Sequence, residues 1–127
     1  MCSSDLFEVE LVRVVADERP EELRELVVLG TWAKRLRGLL GTDERARPVL
    51  LTRCRSIHTC GMRYALDVAF VGERGEVLSV LRGLAPRRHA SCTRAVCVAE
   101  RPAGEGEWFE EGQHLWIVSV SLGVTGT

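Results

Sequence analysis

The stretch SIHTCGMRYALDVAFV, residues 56–71, joins the clearest strand pattern of the chain to a cluster of polar side chains. From Tyr64 onward, large apolar residues alternate with smaller ones, which is the period-two pattern of a β-strand. Asp67 lies on the second face of this strand, between Ala65 and Ala69. A carboxylate that points into a protein interior needs a compensating partner. The stretch therefore predicts a central strand that carries a paired acid.

Polar and reactive side chains crowd the residues just before this strand. Five of them fall within the segment 56–63: Ser56, His58, Thr59, Cys60 and Arg63. We therefore expect the functional site of the protein in this segment.

The segment HTCGMRYALDVAFV, followed by an acidic-Gly turn, resembles the central part of the family known as domain of unknown function 192. Three further segments follow the family in order: TWAKRLRGLL at 31–40, VAERPAG at 98–104 and EGQ at 111–113. Together they cover about residues 25–120. Relatives often have an aromatic residue in place of Cys60, a proline in place of Ala65 and an aspartate in place of Gln113. The resemblance implies a compact β-rich domain and no particular activity.

Length and composition are those of a single globular domain over residues 1–127, with residues 1–24 as an extension of the family-like core. A chain of this size buries about two thirds of its unfolded surface and needs no cofactor, metal or disulfide to do so. The formal net charge of −1 argues against a protein that mainly holds a polyanion, so we expect no nucleic-acid partner. All basic residues except Lys34 are arginine, which a GC-rich coding sequence explains better than phosphate recognition does.

The N-terminal sequence MCSSDLFEVE lacks a basic start followed by an apolar run, so we predict no signal peptide. No stretch approaches the roughly 18 apolar residues of a membrane span. We therefore expect a cytoplasmic protein without a membrane partner, whose five cysteines stay reduced.

One main helix is predicted over residues 31–40. Thr31 is a suitable N-cap, and the apolar residues that follow fall on one arc at 100° steps. Arg35 lies at the edge of this arc, so its guanidinium can fold inward and form an ion pair with Asp67. The alternative is that Arg35 is an ordinary surface residue and that Asp67 binds backbone amides.

Strands dominate the remaining pattern. Alternation and short apolar runs predict them near residues 7–15, 26–29, 49–54, 64–71, 76–82, 93–100 and 115–122, with a tight hairpin turn at 72–75. Trp108 and Phe109 stand between glutamates, which predicts a short core-capping helix at about 103–111. We therefore expect a β-rich α+β fold, in which a curled, mostly antiparallel sheet approaches a small barrel.

Cysteine and histidine side chains permit three further hypotheses. A zinc site could draw on Cys54, His58, Cys60, His89, Cys92 and Cys97. Free thiols are the alternative, and Cys54 and Cys92 could form a disulfide under oxidation. Cys60 and His58 could also act as nucleophile and base, although no oxyanion-hole motif accompanies them. A histidine that binds the backbone is the other interpretation of His58.

Two function classes follow. The first, which we favour, is a non-catalytic binding or accessory domain for a small molecule or a protein partner, with a polar pocket formed by Arg35, His58, Arg63 and Asp67. The second is a small enzyme in which His58 and Asp67 perform acid-base chemistry. The basic loop at residues 87–89 could contact a phosphate or an acidic partner, with a solvated loop as the alternative.

Overall fold

The computed structural model describes residues 6–30 and 46–126, and these residues form nine β-strands. In chain order the strands are β1 (Leu6–Ala16), β2 (Arg19–Leu29), β3 (Val49–Thr52), β4 (Ser56–His58), β5 (Leu66–Gly72), β6 (Val77–Leu84), β7 (His89–Ser91), β8 (Ala95–Pro102) and β9 (Leu115–Gly126). Seven strands form one sheet in the order β6-β5-β8-β3-β2-β1-β9, and β4 pairs with β7 in a separate small sheet. Neighbours in the large sheet are antiparallel except β2 and β3.

The hairpin predicted between β5 and β6 is confirmed. Gly75, in its turn, has a φ of 86°, and a Cβ there would lie 2.5 Å from the carbonyl oxygen of Leu115. Only glycine fits such a left-handed position at this distance. The amide of Leu115 donates to the carbonyl oxygen of Gly75, so the turn is joined to the beginning of β9.

The core lies on both faces of the large sheet, and β5 is buried on both. On one face, the small sheet and its loops cover the first core cluster, which includes Leu66, Val68 and Phe70 of β5. On the other face, Trp108 and Phe109 pack against Ala69 in a second cluster. The two aromatic rings are 4.8 Å apart and nearly fully buried, so they cap the core as predicted.

The helix predicted at 103–111 is wrong, because this segment is irregular. Two guanidinium groups bind the carbonyl oxygens that a helix would use for its own hydrogen bonds. Arg101 donates to the carbonyl oxygens of Gly106 and Glu107, each at 2.7 Å. Arg82 donates to the carbonyl oxygen of Gly104 at 2.8 Å. These contacts hold the segment in an irregular conformation in place of a helix.

The predicted α+β class is also wrong, since the described residues are all β and contain no helix. The helix predicted at 31–40 lies outside the described residues. The predicted barrel does not close either, because β6 and β9 are the two edges of an open sheet. Contacts between the two edges are described near the beginning of both strands, where Glu76 forms an isolated bridge with His114 and the amide of Val77 donates to the carbonyl oxygen of Gln113. Among the described residues, no helix is long and apolar enough to cross a membrane.

Candidate functional site

Asp67 is buried in β5, with 1% of its surface exposed. Its Oδ1 accepts a hydrogen bond from the amide of Gly83 at 3.0 Å and lies 3.2 Å from Nε of Arg82. Its Oδ2 accepts from Nε of Arg101 at 2.9 Å and from the amide of Gly104 at 3.2 Å. Burial raises the pKa of this carboxyl, but the bonds from Arg101, the two amides and Arg82 outweigh burial and lower the pKa overall. Asp67 therefore ties β5 to β6, to β8 and to the segment after β8.

The partner that the sequence suggested for Asp67, Arg35, lies outside the described residues. Neither Arg82 nor Arg101 was predicted as a partner of Asp67, because both positions follow from the pairing register of the strands. Arg101 lies directly opposite Asp67 in the pairing of β5 with β8. Arg82 lies on β6, across from the part of β5 where the register shifts. Two register shifts between the turn at 72–75 and Asp67 bring Arg82 to this position, so the turn alone did not predict Arg82 as a partner.

His58 and Arg63, the other predicted pocket residues, are both exposed. His58 ends β4 and lies directly opposite His89 of β7. Within residues 6–30 and 46–126, neither His58 nor Arg63 forms a hydrogen bond or an ion pair with Asp67. The structure thus leaves these two residues on the exterior, beside the small sheet, while Asp67 lies in the interior.

The small sheet is held in place by Thr59, which is fully buried. Its Oγ1 donates to the carbonyl oxygen of Ala85 at 2.7 Å and accepts from the amide of Arg88 at 2.7 Å. The amide of Thr59 donates to the carbonyl oxygen of Arg88, and its own carbonyl accepts from the amide of Arg87. These bonds also hold Arg87 at its left-handed φ of 64°. The basic loop is therefore fixed against the residues that follow β4.

Two segments of the chain, residues 53–63 and 85–94, contain arginine and histidine but no Asp or Glu. The pairing of β4 with β7 brings them together, and we call them the cationic lobe. Its basic side chains are all exposed: Arg53, Arg55, His58, Arg63, Arg87, Arg88, His89 and Arg94. A chain with a formal net charge of −1 thus concentrates positive charge in one region.

Arginines elsewhere in the described part of the chain are mostly paired. Ion pairs with carboxylates are formed by Arg13, Arg19, Arg24, Arg47, Arg82 and Arg101. No described ion pair involves five arginines of the cationic lobe, which are Arg55, Arg63, Arg87, Arg88 and Arg94. Outside the lobe, Arg74 is the one described arginine that likewise forms no described ion pair, and it is exposed in the β5–β6 turn.

Glu100 is a second buried acid, and sequence analysis did not single it out. It is 4% exposed and lies on β8, opposite Val49 on β3 and Val68 on β5. Burial raises the pKa of Glu100 to about 7, and no hydrogen bond from a described residue reaches its carboxyl. The sequence signal was the one that identified Asp67, since Glu100 follows the inward-facing Val98 at strand spacing. Glu100 therefore makes folding sensitive to pH near neutrality.

The described cysteines are Cys54, Cys60, Cys92 and Cys97, and none of the four is in a disulfide. Cys54 and Cys92, the pair considered for a disulfide, both pack against the core cluster beneath the small sheet. Burial, with a smaller contribution from Cys54, raises the pKa of Cys97 to about 11. Across the described ranges, no group of three or more His, Cys, Asp or Glu is arranged to hold a metal ion.

The model of the family DUF192 (Uncharacterized ACR) matches residues 13–113. This chain belongs to the DUF192 family. The resemblance inferred from residues 58–71 is thereby confirmed. Because DUF192 is a family of unknown function, membership assigns no activity to the site.

Two solved structures are similar to this DUF192 chain. A protein of unknown function from Novosphingobium aromaticivorans has a TM-score of 0.68 at 15% identity, covering 85% of this chain and 84% of its own. A Sinorhizobium meliloti protein named "putative transcription regulator" has a TM-score of 0.67 at 16% identity, covering 91% of this chain and 98% of its own. At these identities the likeness establishes the fold alone. None of the curated proteins matches the chain.

Proposed function

We propose that this DUF192 protein is a small non-catalytic binding domain whose cationic lobe binds a negatively charged small ligand. The proposal keeps His58 and Arg63 of the predicted polar pocket and centres the site on the small sheet. Asp67 is left out of direct contact with the ligand, because two guanidinium groups and two amides already bind its carboxylate. Arg35 remains a predicted member of the pocket.

The observation that carries the proposal is the contrast between paired and unpaired arginines. Six described arginines outside the lobe have carboxylate partners, whereas five exposed arginines of the acid-free lobe have no described ion pair. Like charges that are held together repel one another, and a bound anion relieves that repulsion. Arginine suits this role because its planar guanidinium binds carboxylate or phosphate oxygens in a bidentate manner.

The small sheet adds further hydrogen-bonding groups to the lobe. Ser56 lies opposite Ser91, and His58 lies opposite His89. Directly opposed side chains on antiparallel strands stand about 5 Å apart. All four residues are exposed, so two hydroxyls and two imidazoles are available beside the arginines. Hydroxyl, imidazole and guanidinium groups are typical donors to phosphate oxygens.

The acid-base alternative receives less support than binding. General acid-base catalysis requires groups within hydrogen-bonding reach of the same reacting atom. His58 is exposed, Asp67 is buried, and no contact among the described residues connects them. The buried Thr59 instead gives the lobe the fixed backbone that ligand binding favours.

Thermal unfolding with pyrophosphate, orthophosphate or citrate tests the proposal, with sodium chloride at matched ionic strength as the reference. An anion present at ten times its Kd stabilises the folded state by about 1.4 kcal/mol, which raises the Tm by about 4 °C. We expect this stabilisation in the wild type, its loss in the double variant Arg87→Ala/Arg88→Ala, and its retention in Arg74→Ala. Arg74 is the matched control because it is exposed and unpaired but lies outside the lobe.

Three results would overturn the proposal. The first is that none of the anions stabilises the protein beyond the chloride reference. The second is that Arg74→Ala weakens the effect as much as the double variant does. The third is stabilisation by a short DNA duplex and by none of the small anions, which would contradict both the small ligand and the expected absence of a nucleic-acid partner.

A further inference from the structure

Strand β9 carries most of the exposed large apolar side chains among the described residues. Five of them are more than half exposed: Trp116 (59%), Ile117 (60%), Val118 (54%), Val120 (58%) and Leu122 (71%). Elsewhere in the described part of the chain, only Leu23 and Val96 are comparable. Such a concentration on one strand marks an interaction surface.

The position of β9 in the sheet makes this surface unusual. β9 has 12 residues, and it is an edge strand that pairs with β1 alone among the nine described strands. Edge strands in monomeric proteins are normally protected by lysine, proline or inward-facing charge. The β9 sequence LWIVSVSLGVTG contains no charged residue and no proline. Its one protective feature is a register shift near Val118, so no described strand covers its outer edge.

The apolar face of the core continues onto β9. Val120 lies opposite the buried Val12, and Ile117 lies opposite the buried Val14. A hollow of about 350 Å³ adjoins this region, and its lining includes apolar residues such as Ile117 and Phe109 together with the charged Glu73 and Arg74. A strand added beside β9 would therefore extend both the hydrogen-bonded sheet and its apolar face.

We infer that the partner of β9 is the β9 strand of a second copy of this chain, paired in antiparallel orientation about a two-fold axis. Two-fold pairing closes the assembly, because each copy covers the open edge of the other. The absence of charge on β9 means that self-pairing brings no like charges together. The five exposed side chains offer roughly 500 Å² per protomer, so the dimer would bury about 1,000 Å², which is near the lower limit for a specific interface. The expected dimer is therefore weak and reversible.

Sedimentation equilibrium between about 10 and about 200 µM tests this inference, with Val120→Lys as the disrupting variant. We expect a monomer–dimer equilibrium in the wild type and a monomer in Val120→Lys, because each copy would bring a charged lysine into the apolar interface. Leu23→Lys is the matched control, since Leu23 is 56% exposed but lies on β2, and it should dimerise like the wild type. A wild type that stays monomeric throughout this range, or a control that loses the dimer equally, would overturn the inference.

Hydrogen exchange on the wild type supplies a second measurement that needs no variant. Amides of residues 116–122 should become more protected as protein concentration rises, whereas those of β6, the other edge, should not change. Equal changes at both edges, or none at either, would refute pairing through β9. The inference does not depend on the cationic lobe, so either proposal can fail while the other holds.

Discussion

Replacing the buried acid of β5, Asp67→Asn, should destabilise the fold by about 3 kcal/mol. Asparagine keeps the size of the side chain but removes its charge and turns an amide group toward donors such as Nε of Arg101 and the amide of Gly104. Breaking a buried ion pair costs about 3–5 kcal/mol. The lower end applies here because Arg101 keeps two carbonyl acceptors and lies 4.6 Å from the ring centre of Trp108. For a chain of this length the Tm should fall by about 10 °C.

Urea unfolding followed by tryptophan fluorescence measures this loss. Arg82→Ala is the matched comparison, because its side chain is 45% exposed where that of Arg101 is 16% exposed. Solvent screens the partly exposed guanidinium of Arg82, and Asp67 keeps its bonds to Arg101 and two amides when Arg82 is removed. Arg82→Ala should therefore cost clearly less than Asp67→Asn. A loss below about 1 kcal/mol for Asp67→Asn, or a larger loss for Arg82→Ala, would refute the interpretation of Asp67 as the structural anchor.

Three further predictions concern buried groups. The carboxyl of Glu100 has a pKa of about 7 in the folded protein and of about 4 in the unfolded chain. Its contribution to folding stability is therefore fully present below about pH 4 and is lost as the pH rises through about 7. Unfolding free energies at pH 5 and pH 8 should therefore differ less in Glu100→Gln than in the wild type, and an unchanged difference would contradict this. The raised pKa of Cys97, about 11, predicts slow reaction of its thiol with a thiol reagent. Of the four described cysteines, the exposed Cys60 should react first, so Cys60→Ser should remove one fast-reacting thiol, and an unchanged fast phase would contradict this. Thr59→Val should lower the free energy of unfolding by about 1–2 kcal/mol and speed hydrogen exchange of the Arg88 amide, which loses its acceptor. An unchanged exchange rate would contradict the role of Thr59 in holding the basic loop.

Most strands were predictable from the sequence because alternation survives wherever a strand has one apolar face. The short strands β4 and β7 were not predicted, because their segments are polar and were interpreted as a reactive cluster and a basic loop. The first half of β2 was also missed, since Pro20 and its polar neighbours indicated a turn. There β2 extends to Arg19, because the hairpin with β1 continues to the pair Ala16–Arg19. Register with a neighbour, rather than local composition, determines this boundary.

The parts that sequence analysis missed depend on contacts between distant residues. The aromatic pair at 108–109 suggested a helix, but Arg82 and Arg101 bind the carbonyl groups of that segment. The formal net charge of −1 gave no sign of a region rich in positive charge. The two segments of the cationic lobe are also separated in the sequence, so neither segment alone shows the full cluster. Only the pairing of β4 with β7 brings them together.

Titration of ¹⁵N-labelled protein with pyrophosphate, followed by amide chemical shifts, tests the proposed binding role most directly. The shifts should change in residues 53–63 and 85–94, including the amides of Thr59 and Arg88, while those of Gly83 and Gly104 beside Asp67 stay in place. Saturable changes confined to the lobe are the predicted result. Changes spread evenly over exposed arginines such as Arg74, or no change at all, would contradict the binding role.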